Sequence, residues 1–303
     1  MKLDAQRKRA AVSGGEMAYV DAGDGPPVVL LHGFPTSSHL WRREAWLFAE
    51  RMRVIAPDLL GYGESEKPLG ADLSEEAQTR YVDELLGQLG IERAAVVGHD
   101  LGGGIAQMLA LDGEVDVACL VLLDAVCFDA WPIEGVRMLQ SGDPEQERPD
   151  FVEEILRLIF DTGIAHKDRL DRGGLAPFRA AWRDDPAAFF RAARAITGRG
   201  LAGREAELAN LDVPTFVLWG EEDPFLPPEL AERLGETIPG ATVALLPGCS
   251  HFVTEEAPQT VGPLVYHFLR SQYLGDAPLS HGSAPVQVLF ERPAGGDFDA
   301  DSD

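Results

Sequence analysis

The chain is poor in cysteine. It has three, Cys119, Cys127 and Cys249, and none forms a C-x-x-C pair with another. An odd number without metal-ligand spacing argues against a disulfide framework and against a zinc ribbon, and it favours a reducing compartment. We therefore expect no bound metal and no cofactor, and a cytoplasmic location.

Positive charge is also scarce. The 303 residues include 26 Lys+Arg against 50 Asp+Glu, a net charge of −24. Such a surface repels phosphate backbones and anionic lipid headgroups, which excludes nucleic acid and membrane surfaces as favoured partners. We expect a small neutral apolar molecule and water instead. Lysine occurs only four times, and both a salt-adapted surface and a GC-rich coding sequence explain that bias.

Long apolar runs are missing as well. The longest, residues 117–128, is interrupted by Asp124 and is too short to cross a membrane. The first fifteen residues have no apolar core of the kind that signal peptides carry. The sequence thus predicts a soluble protein, either a monomer or a homodimer.

Short apolar runs with β propensity alternate with helical stretches, which predicts a mostly parallel sheet covered by helices. This pattern occupies residues 1–128 and 209–275. Residues 129–208 have no convincing strand, and we interpret them as a helical cap over the sheet edge where ligands bind. Residues 276–303 form a C-terminal extension with an acidic tail, predicted to be disordered, and an edge strand near 286–290.

The most specific segment is Val96-Val-Gly-His-Asp-Leu-Gly-Gly-Gly104. It follows a buried strand, opens a helix, and carries glycines on both sides of Asp100, which is typical of a nucleophile elbow. A carboxylate at this point can displace a leaving group from an sp³ carbon, and the resulting ester can be hydrolysed by an activated water. Asp100 is therefore the candidate nucleophile.

Four further motifs occur in a recognisable order. They are Leu31-His-Gly-Phe-Pro-Thr-Ser-Ser38, Ile55-Ala-Pro-Asp58, Trp219-Gly-Glu-Glu-Asp-Pro224 and Gly248-Cys-Ser-His251. With the elbow, they make the chain resemble the α/β-hydrolase superfamily, in the aspartate-nucleophile branch of haloalkane dehalogenases and epoxide hydrolases. The resemblance implies an α/β-hydrolase fold, with a mostly parallel eight-stranded sheet, flanking helices and a helical cap insertion.

The resemblance also implies roles for individual residues. His251 is the base that activates water, and Asp223 is the acid that orients it. Asp124, after an earlier strand, is the alternative acid, since some haloalkane dehalogenases carry theirs there. Both acids stay open at the level of sequence, with Asp223 favoured by its motif.

Supporting positions follow from the same motifs. The backbone N–H groups of Phe34 and Leu101 are the expected oxyanion donors. His32 is expected to brace the loop around Phe34, and His99 to support the elbow. We interpret residues 255–256, which follow the candidate base, simply as the start of a helix.

The leaving group divides the possible reactions. Epoxide opening usually needs cap tyrosines, and residues 129–208 contain none, so His166 would have to substitute. Halide departure needs N–H donors, and the usual Trp or Asn is replaced by Leu101 and Phe34. The remaining donors are two tryptophans of the cap.

Trp131 and Trp182 are therefore the candidate pocket residues, because an indole N–H can solvate a halide in an apolar pocket. Packing inside the cap explains them equally well. We rank a haloalkane-dehalogenase-like hydrolase first and an epoxide hydrolase, or another aspartate-ester hydrolase, second. A ligand-binding homologue without turnover is a lesser alternative.

Overall fold

A single nine-stranded sheet organises the computed structural model, which describes residues 6–142, 147–167, 173–276 and 287–290. The acidic tail predicted to be disordered lies outside these residues. The strands are β1 (Arg7–Val12), β2 (Gly15–Ala22), β3 (Pro27–Leu31), β4 (Arg53–Pro57), β5 (Arg93–Asp100), β6 (Asp116–Ala125), β7 (Thr215–Gly220), β8 (Thr242–Leu246) and β9 (Gln287–Phe290).

The sheet is mixed, with a parallel centre and antiparallel edges. Its order is β1-β2-β4-β3-β5-β6-β7-β8-β9. Strands β3 to β8 run parallel, while β1, β2 and β9 pair in the antiparallel sense. The predicted mostly parallel sheet is confirmed over β1 to β8. The ninth strand, β9, falls within the stretch expected to form an edge strand.

Both faces of the central strands are buried, which is why their sequences are continuously apolar. In β5, Val96 packs into one hydrophobic cluster, while its neighbours Ala95 and Val97 pack into a second cluster on the other face. Successive side chains of a strand point to opposite faces, so one strand contributes to two cores. The carboxyl ends of these strands form the edge at which the site lies.

Helices cover both faces and fill one long connection. They are α1 (Glu44–Phe48), α2 (Glu75–Gln88), α3 (Leu101–Asp112), α4 (Glu134–Gln140), α5 (Pro149–Thr162), α6 (Ala176–Arg183), α7 (Pro186–Ala195), α8 (Glu205–Leu208), α9 (Glu229–Thr237), α10 (Val253–Glu256) and α11 (Pro258–Gln272). Helices α4 to α8 all lie between β6 and β7, where the described residues contain no strand. None of the helices in the described ranges is long and apolar enough to span a membrane.

A buried carboxyl in α1 makes the fold sensitive to pH. Glu44 is 2% exposed, and neither of its oxygens accepts a hydrogen bond from another described residue. Burial raises the pKa of Glu44 to about 8, and the nearby charge of Glu255 adds to the effect. The folded state therefore binds more protons than the unfolded chain between about pH 4.5 and pH 8, and its stability falls as pH rises through that window.

Glu44→Gln should remove this dependence, because the amide has no charge to bury. We expect its melting temperature at pH 8 to exceed that of the wild type by about 2–4 °C, and the gap to close as the pH falls below about 4.5. Thermal unfolding at a series of pH values measures this. Glu50→Gln, at an exposed position of the same region, is the control and should change nothing. A gap that is constant with pH would contradict the explanation.

Candidate active site

A strained turn joins β5 to α3 and carries Asp100 at its tip. Asp100 has φ 52°, in the left-handed region that side chains other than glycine seldom adopt. A Cβ at Gly98 would overlap the carbonyl oxygen of Gly102, and one at Gly102 would overlap that of Leu31. The glycines therefore allow the close packing that holds this turn, as its sequence predicts.

Backbone donors surround the Asp100 carboxylate. The N–H of Phe34 donates to Asp100 Oδ1 at 2.8 Å, and the N–H of Leu101 also bonds this carboxylate. The two expected oxyanion donors thus meet at Asp100 itself. Burial raises the pKa of Asp100 to about 6, while His251 and the two N–H groups limit the rise. The carboxyl is ionised at neutral pH but poorly solvated.

His251 lies between two carboxylates. Its Nδ1 is 2.8 Å from Asp223 Oδ2, and its Nε2 is 3.8 Å from Asp100 Oδ2. Burial lowers the pKa of His251, but the charge and the hydrogen bond of Asp223 outweigh it, so the pKa lies above its ordinary value. The loops after β5, β7 and β8 thereby bring together three residues that lie far apart in the sequence.

Asp124, the alternative acid, has a different partner. Its Oδ1 accepts the N–H of Gly220 at 2.7 Å, and its Oδ2 is buried with no partner among the described residues. Burial, followed by the charge of Asp223, raises the pKa of Asp124 well above its ordinary value. Asp124 therefore bonds Gly220, and the carboxylate that bonds His251 is Asp223.

Two other histidines hold the surrounding loops. His32 Nε2 accepts the N–H of Leu59 at 3.0 Å, and its Nδ1 lies 3.0 Å from the oxygen of Gly33, next to the oxyanion donor loop. His99 Nε2 lies 2.9 Å from the carbonyl oxygen of His251. Burial keeps the pKa of His99 well below its ordinary value, so this neutral ring supports the loop from beneath.

An apolar cavity of about 360 Å³ opens above Asp100 and His251. Its walls come largely from two helices, α4 and α5. Met138 and Leu158 line it and are also 66% and 60% exposed, so they lie at its mouth. The described part of the chain contains no group of three or more His, Cys, Asp or Glu side chains that could hold a metal ion.

The two candidate tryptophans have different environments. Trp131 lines the cavity, and its Nε1 is buried with no hydrogen-bond partner in the described ranges. Trp182, the other predicted pocket residue, is not among the residues that line this cavity. Its Nε1 donates to the oxygen of Pro35 at 2.8 Å, and its ring packs against Tyr62 and Phe189. Trp182 is a packing residue because α6 presses it onto the core.

His166 also lies away from the cavity. Its backbone N–H donates to Glu256 Oε1 at 3.0 Å, and its ring lies close to Gly248. The imidazole is not among the groups that line the cavity, where a substitute for a cap tyrosine would be expected. The bend that follows α5 turns this segment toward the loop after β8.

Sequence reasoning missed the roles of two adjacent glutamates. Glu255 is fully buried at its side chain and pairs with Arg42 and Arg43, at 2.7 and 2.9 Å. Glu256 accepts hydrogen bonds from the backbone N–H groups of Ala165, His166 and Ser250, the last at 2.6 Å. They do more than start a helix. No sequence signal could have revealed the bonds of Glu256, because their donors are backbone N–H groups, which leave no residue pattern.

Known proteins share this architecture. A sequence model of the alpha/beta hydrolase family matches residues 28–262. The chain is 33% identical over 274 residues to haloalkane dehalogenase 2 of Mycobacterium tuberculosis, covering 84% of this chain and 91% of that protein. It is 29% identical over 280 residues to a soluble epoxide hydrolase of Corynebacterium sp., covering 86% and 96%. A solved alpha/beta hydrolase fold protein from Burkholderia ambifaria superposes with a TM-score of 0.81 at 30% identity, covering 88% of this chain and 98% of that one.

The two acids can be distinguished by titrating His251. Asp223→Asn removes a charge that bonds the ring, so the pKa of His251 should fall by about one unit or more. Asp124→Asn changes a carboxyl that bonds Gly220 and not His251, so the pKa of His251 should hardly change. Histidine resonances followed by NMR across pH measure both. A larger fall in Asp124→Asn than in Asp223→Asn would reverse the assignment.

Proposed function

The chain belongs to the alpha/beta hydrolase family, and we propose that it is a haloalkane-dehalogenase-like hydrolase that forms a covalent alkyl ester on Asp100. The observation that carries this proposal is the Asp100 carboxylate. It sits at the elbow, is held by backbone N–H groups, and lies at the base of an apolar cavity. An aspartate in this place suits displacement at an sp³ carbon.

In the first step, Asp100 attacks the carbon that carries the halogen. Phe34 and Leu101 hold the carboxylate in place, and Oδ2, on the side of His251, supplies the electron pair. A carbon–oxygen bond forms as the carbon–halogen bond breaks, and the halide leaves with the bonding pair. The apolar walls exclude water and leave the nucleophile weakly solvated.

Trp131 is the proposed donor to the departing halide. A buried indole N–H without a partner is costly in an apolar cavity, and an anion that accepts its hydrogen bond removes that cost. Epoxide opening, the second candidate, needs a proton donor for the alkoxide, and the side chains lining the described cavity include no tyrosine. Similarity to the Corynebacterium epoxide hydrolase is the observation that supports this second candidate.

In the second step, His251 takes a proton from water, and the water oxygen attacks the ester carbonyl carbon of Asp100. Asp223 stabilises the imidazolium that forms, and the N–H groups of Phe34 and Leu101 hold the oxyanion. As the tetrahedral intermediate collapses, the bond to the substrate oxygen breaks, and this oxygen takes the proton from the imidazolium and leaves as the alcohol. The second proton of the water is lost to solvent as the carboxylate of Asp100 forms again. In the free enzyme the charge of Asp100 helps to raise the pKa of His251. Esterification removes that charge, so the base is more often neutral when it is needed.

The same proposal assigns the larger parts of the chain. Residues 129–208 act as the cap, over a core formed by residues 1–128 and 209–275. The partners are a small neutral apolar substrate and water, in a cytoplasmic protein that is a monomer or a homodimer. A purely ligand-binding role is less favoured, because nucleophile, base and acid are all present at hydrogen-bonding or near-contact distances.

His251→Gln should stop the reaction at the ester. Alkylation of Asp100 needs no base, whereas hydrolysis of the ester does, so a bromoalkane should leave a stable adduct. Intact mass spectrometry detects the adduct, and peptide mapping should place it on Asp100. Asp100→Asn is the matched control and should show no adduct. If a substrate that the wild type turns over leaves no adduct in His251→Gln, the mechanism is wrong.

Trp131→Phe should weaken halide departure. Loss of one hydrogen bond to a charged group should lower kcat/KM for bromoalkanes by about 10–100-fold. Bromide release from a bromoalkane panel measures this, alongside diol formation from styrene-type epoxides. Trp182→Phe, whose indole bonds a backbone oxygen, should lower thermal stability more than activity. Diol formation without bromide release would replace the first candidate with the second.

A further inference from the structure

One buried carboxylate joins the loop of the base to a helix that lines the cavity. Glu256, at the end of α10, is 6% exposed. Its Oε2 accepts the N–H of Ser250 at 2.6 Å, directly before His251. Its Oε1 accepts the N–H groups of Ala165 and His166, at 2.7 and 3.0 Å, shortly after α5. A single side chain therefore connects two segments about 85 residues apart.

A second contact ties the same two segments on the other side of the base. The N–H of Phe252, directly after His251, donates to the carbonyl oxygen of Gly163 at 3.1 Å. A Cβ at Gly163 would overlap the rings of Phe225 and Phe252, so the two segments are in close contact. Both neighbours of His251 are thus linked to the segment at and after the end of α5. Ser250 is linked to it through Glu256, and Phe252 bonds Gly163 directly.

Helix α5 is also a wall of the cavity. Its residues Ile155, Leu158, Ile159 and Thr162 line it, and Leu158 is 60% exposed at the mouth. Whatever fills the cavity therefore packs against the helix whose C-terminal end holds the loop of His251. The same set of hydrogen bonds therefore holds both His251 and helix α5 in position.

We propose that Glu256 is a positioning residue: it couples the seating of α5 over the cavity to the position of the His251 imidazole. This inference rests on the proposed function, in which His251 activates water for the second step. The chemistry requires a carboxylate, because three N–H groups point at its two oxygens. An amide has only one accepting oxygen, and its NH₂ group would face a backbone N–H. It would therefore lose its hydrogen bonds to one of the two segments.

Glu75, on α2, provides a matched control. It is 3% exposed, and its Oε1 accepts the N–H groups of Thr197 and Gly198, both at 2.8 Å. Its Oε2 accepts the Thr197 hydroxyl at 2.9 Å. The chemistry matches that of Glu256, a buried carboxylate holding the segment after α7, but none of these bonds reaches a neighbour of His251.

The first measurement uses no substrate. Glu256→Gln and Glu75→Gln should both lower the melting temperature, because each leaves buried donors unpaired. Only Glu256→Gln should shift or broaden the NMR resonance of the His251 N–H that faces Asp223, and shift the pKa of the ring. If the two variants give the same His251 resonance and the same pKa as the wild type, the coupling does not exist.

The second measurement follows one turnover of a bromoalkane by rapid quench and intact mass. Glu256→Gln should slow ester hydrolysis roughly tenfold or more, as expected for a misplaced base, while alkylation changes by less than about twofold. The ester should therefore accumulate, and the pH profile of its hydrolysis should move. Glu75→Gln should not change the ratio of the two rates. Equal slowing of both steps in Glu256→Gln would reduce its role to stability and overturn the proposal.

The two measurements separate failure of this inference from failure of the proposed function. If the wild type forms no ester with any substrate that it consumes, the proposed function is wrong, and the NMR comparison still decides whether Glu256 positions His251. If Glu256→Gln yields no folded protein, Glu256→Asp replaces it under the same criteria, because it keeps the charge but shortens the reach to one of the two segments.

Discussion

The whole site depends on one carboxylate held out of water at a strained turn. Asp100 is 1% exposed, and its backbone has φ 52°. Backbone N–H groups from Phe34 and Leu101 offset part of the cost of burying its charge, and His251 offsets more. Burial still raises the pKa of Asp100 to about 6. The group is consequently ionised at neutral pH, yet it has almost no contact with water.

Two further acids, Asp223 and Asp124, lie near this charge, and the charge of Asp223 adds to the rise in the pKa of Asp100. A low-dielectric interior cannot hold three adjacent carboxylates in their charged form. Asp223 accepts hydrogen bonds from Phe225, Leu226 and His251, whereas Asp124 accepts one, from Gly220. Burial and the charge of Asp223 raise the pKa of Asp124 well above its ordinary value. Both residues are aspartates, so the difference in hydrogen-bond donors is what separates their environments.

Sequence predicted the parts of the site that local backbone geometry encodes. Gly98 and Gly102 identify the elbow at Asp100, because the turn has no room for side chains at those two positions. Trp131 and Trp182 could not be told apart in the same way. Both are tryptophans of the same helical stretch, and only the packing of Trp182 against the core shows which indole is already bonded. Long-range contacts to backbone atoms, such as those of Glu75 and Glu256, leave no pattern in the sequence.

Hydrogen bonds attach the helical region, residues 129–208, to the core. The side chains at the cavity mouth take no part in these bonds. Glu75 holds the backbone segment after α7, and Glu256 holds the segment after α5. Helix α4 is bonded elsewhere, through Gln140 to the oxygen of Ala193 at 3.0 Å. Met138 and Leu158, at the mouth, have apolar side chains that offer no strong hydrogen bond. A substrate that enters between α4 and α5 therefore displaces apolar contacts without breaking any of these bonds. Since such contacts are individually weak, entry need not disturb the bonds that hold the base.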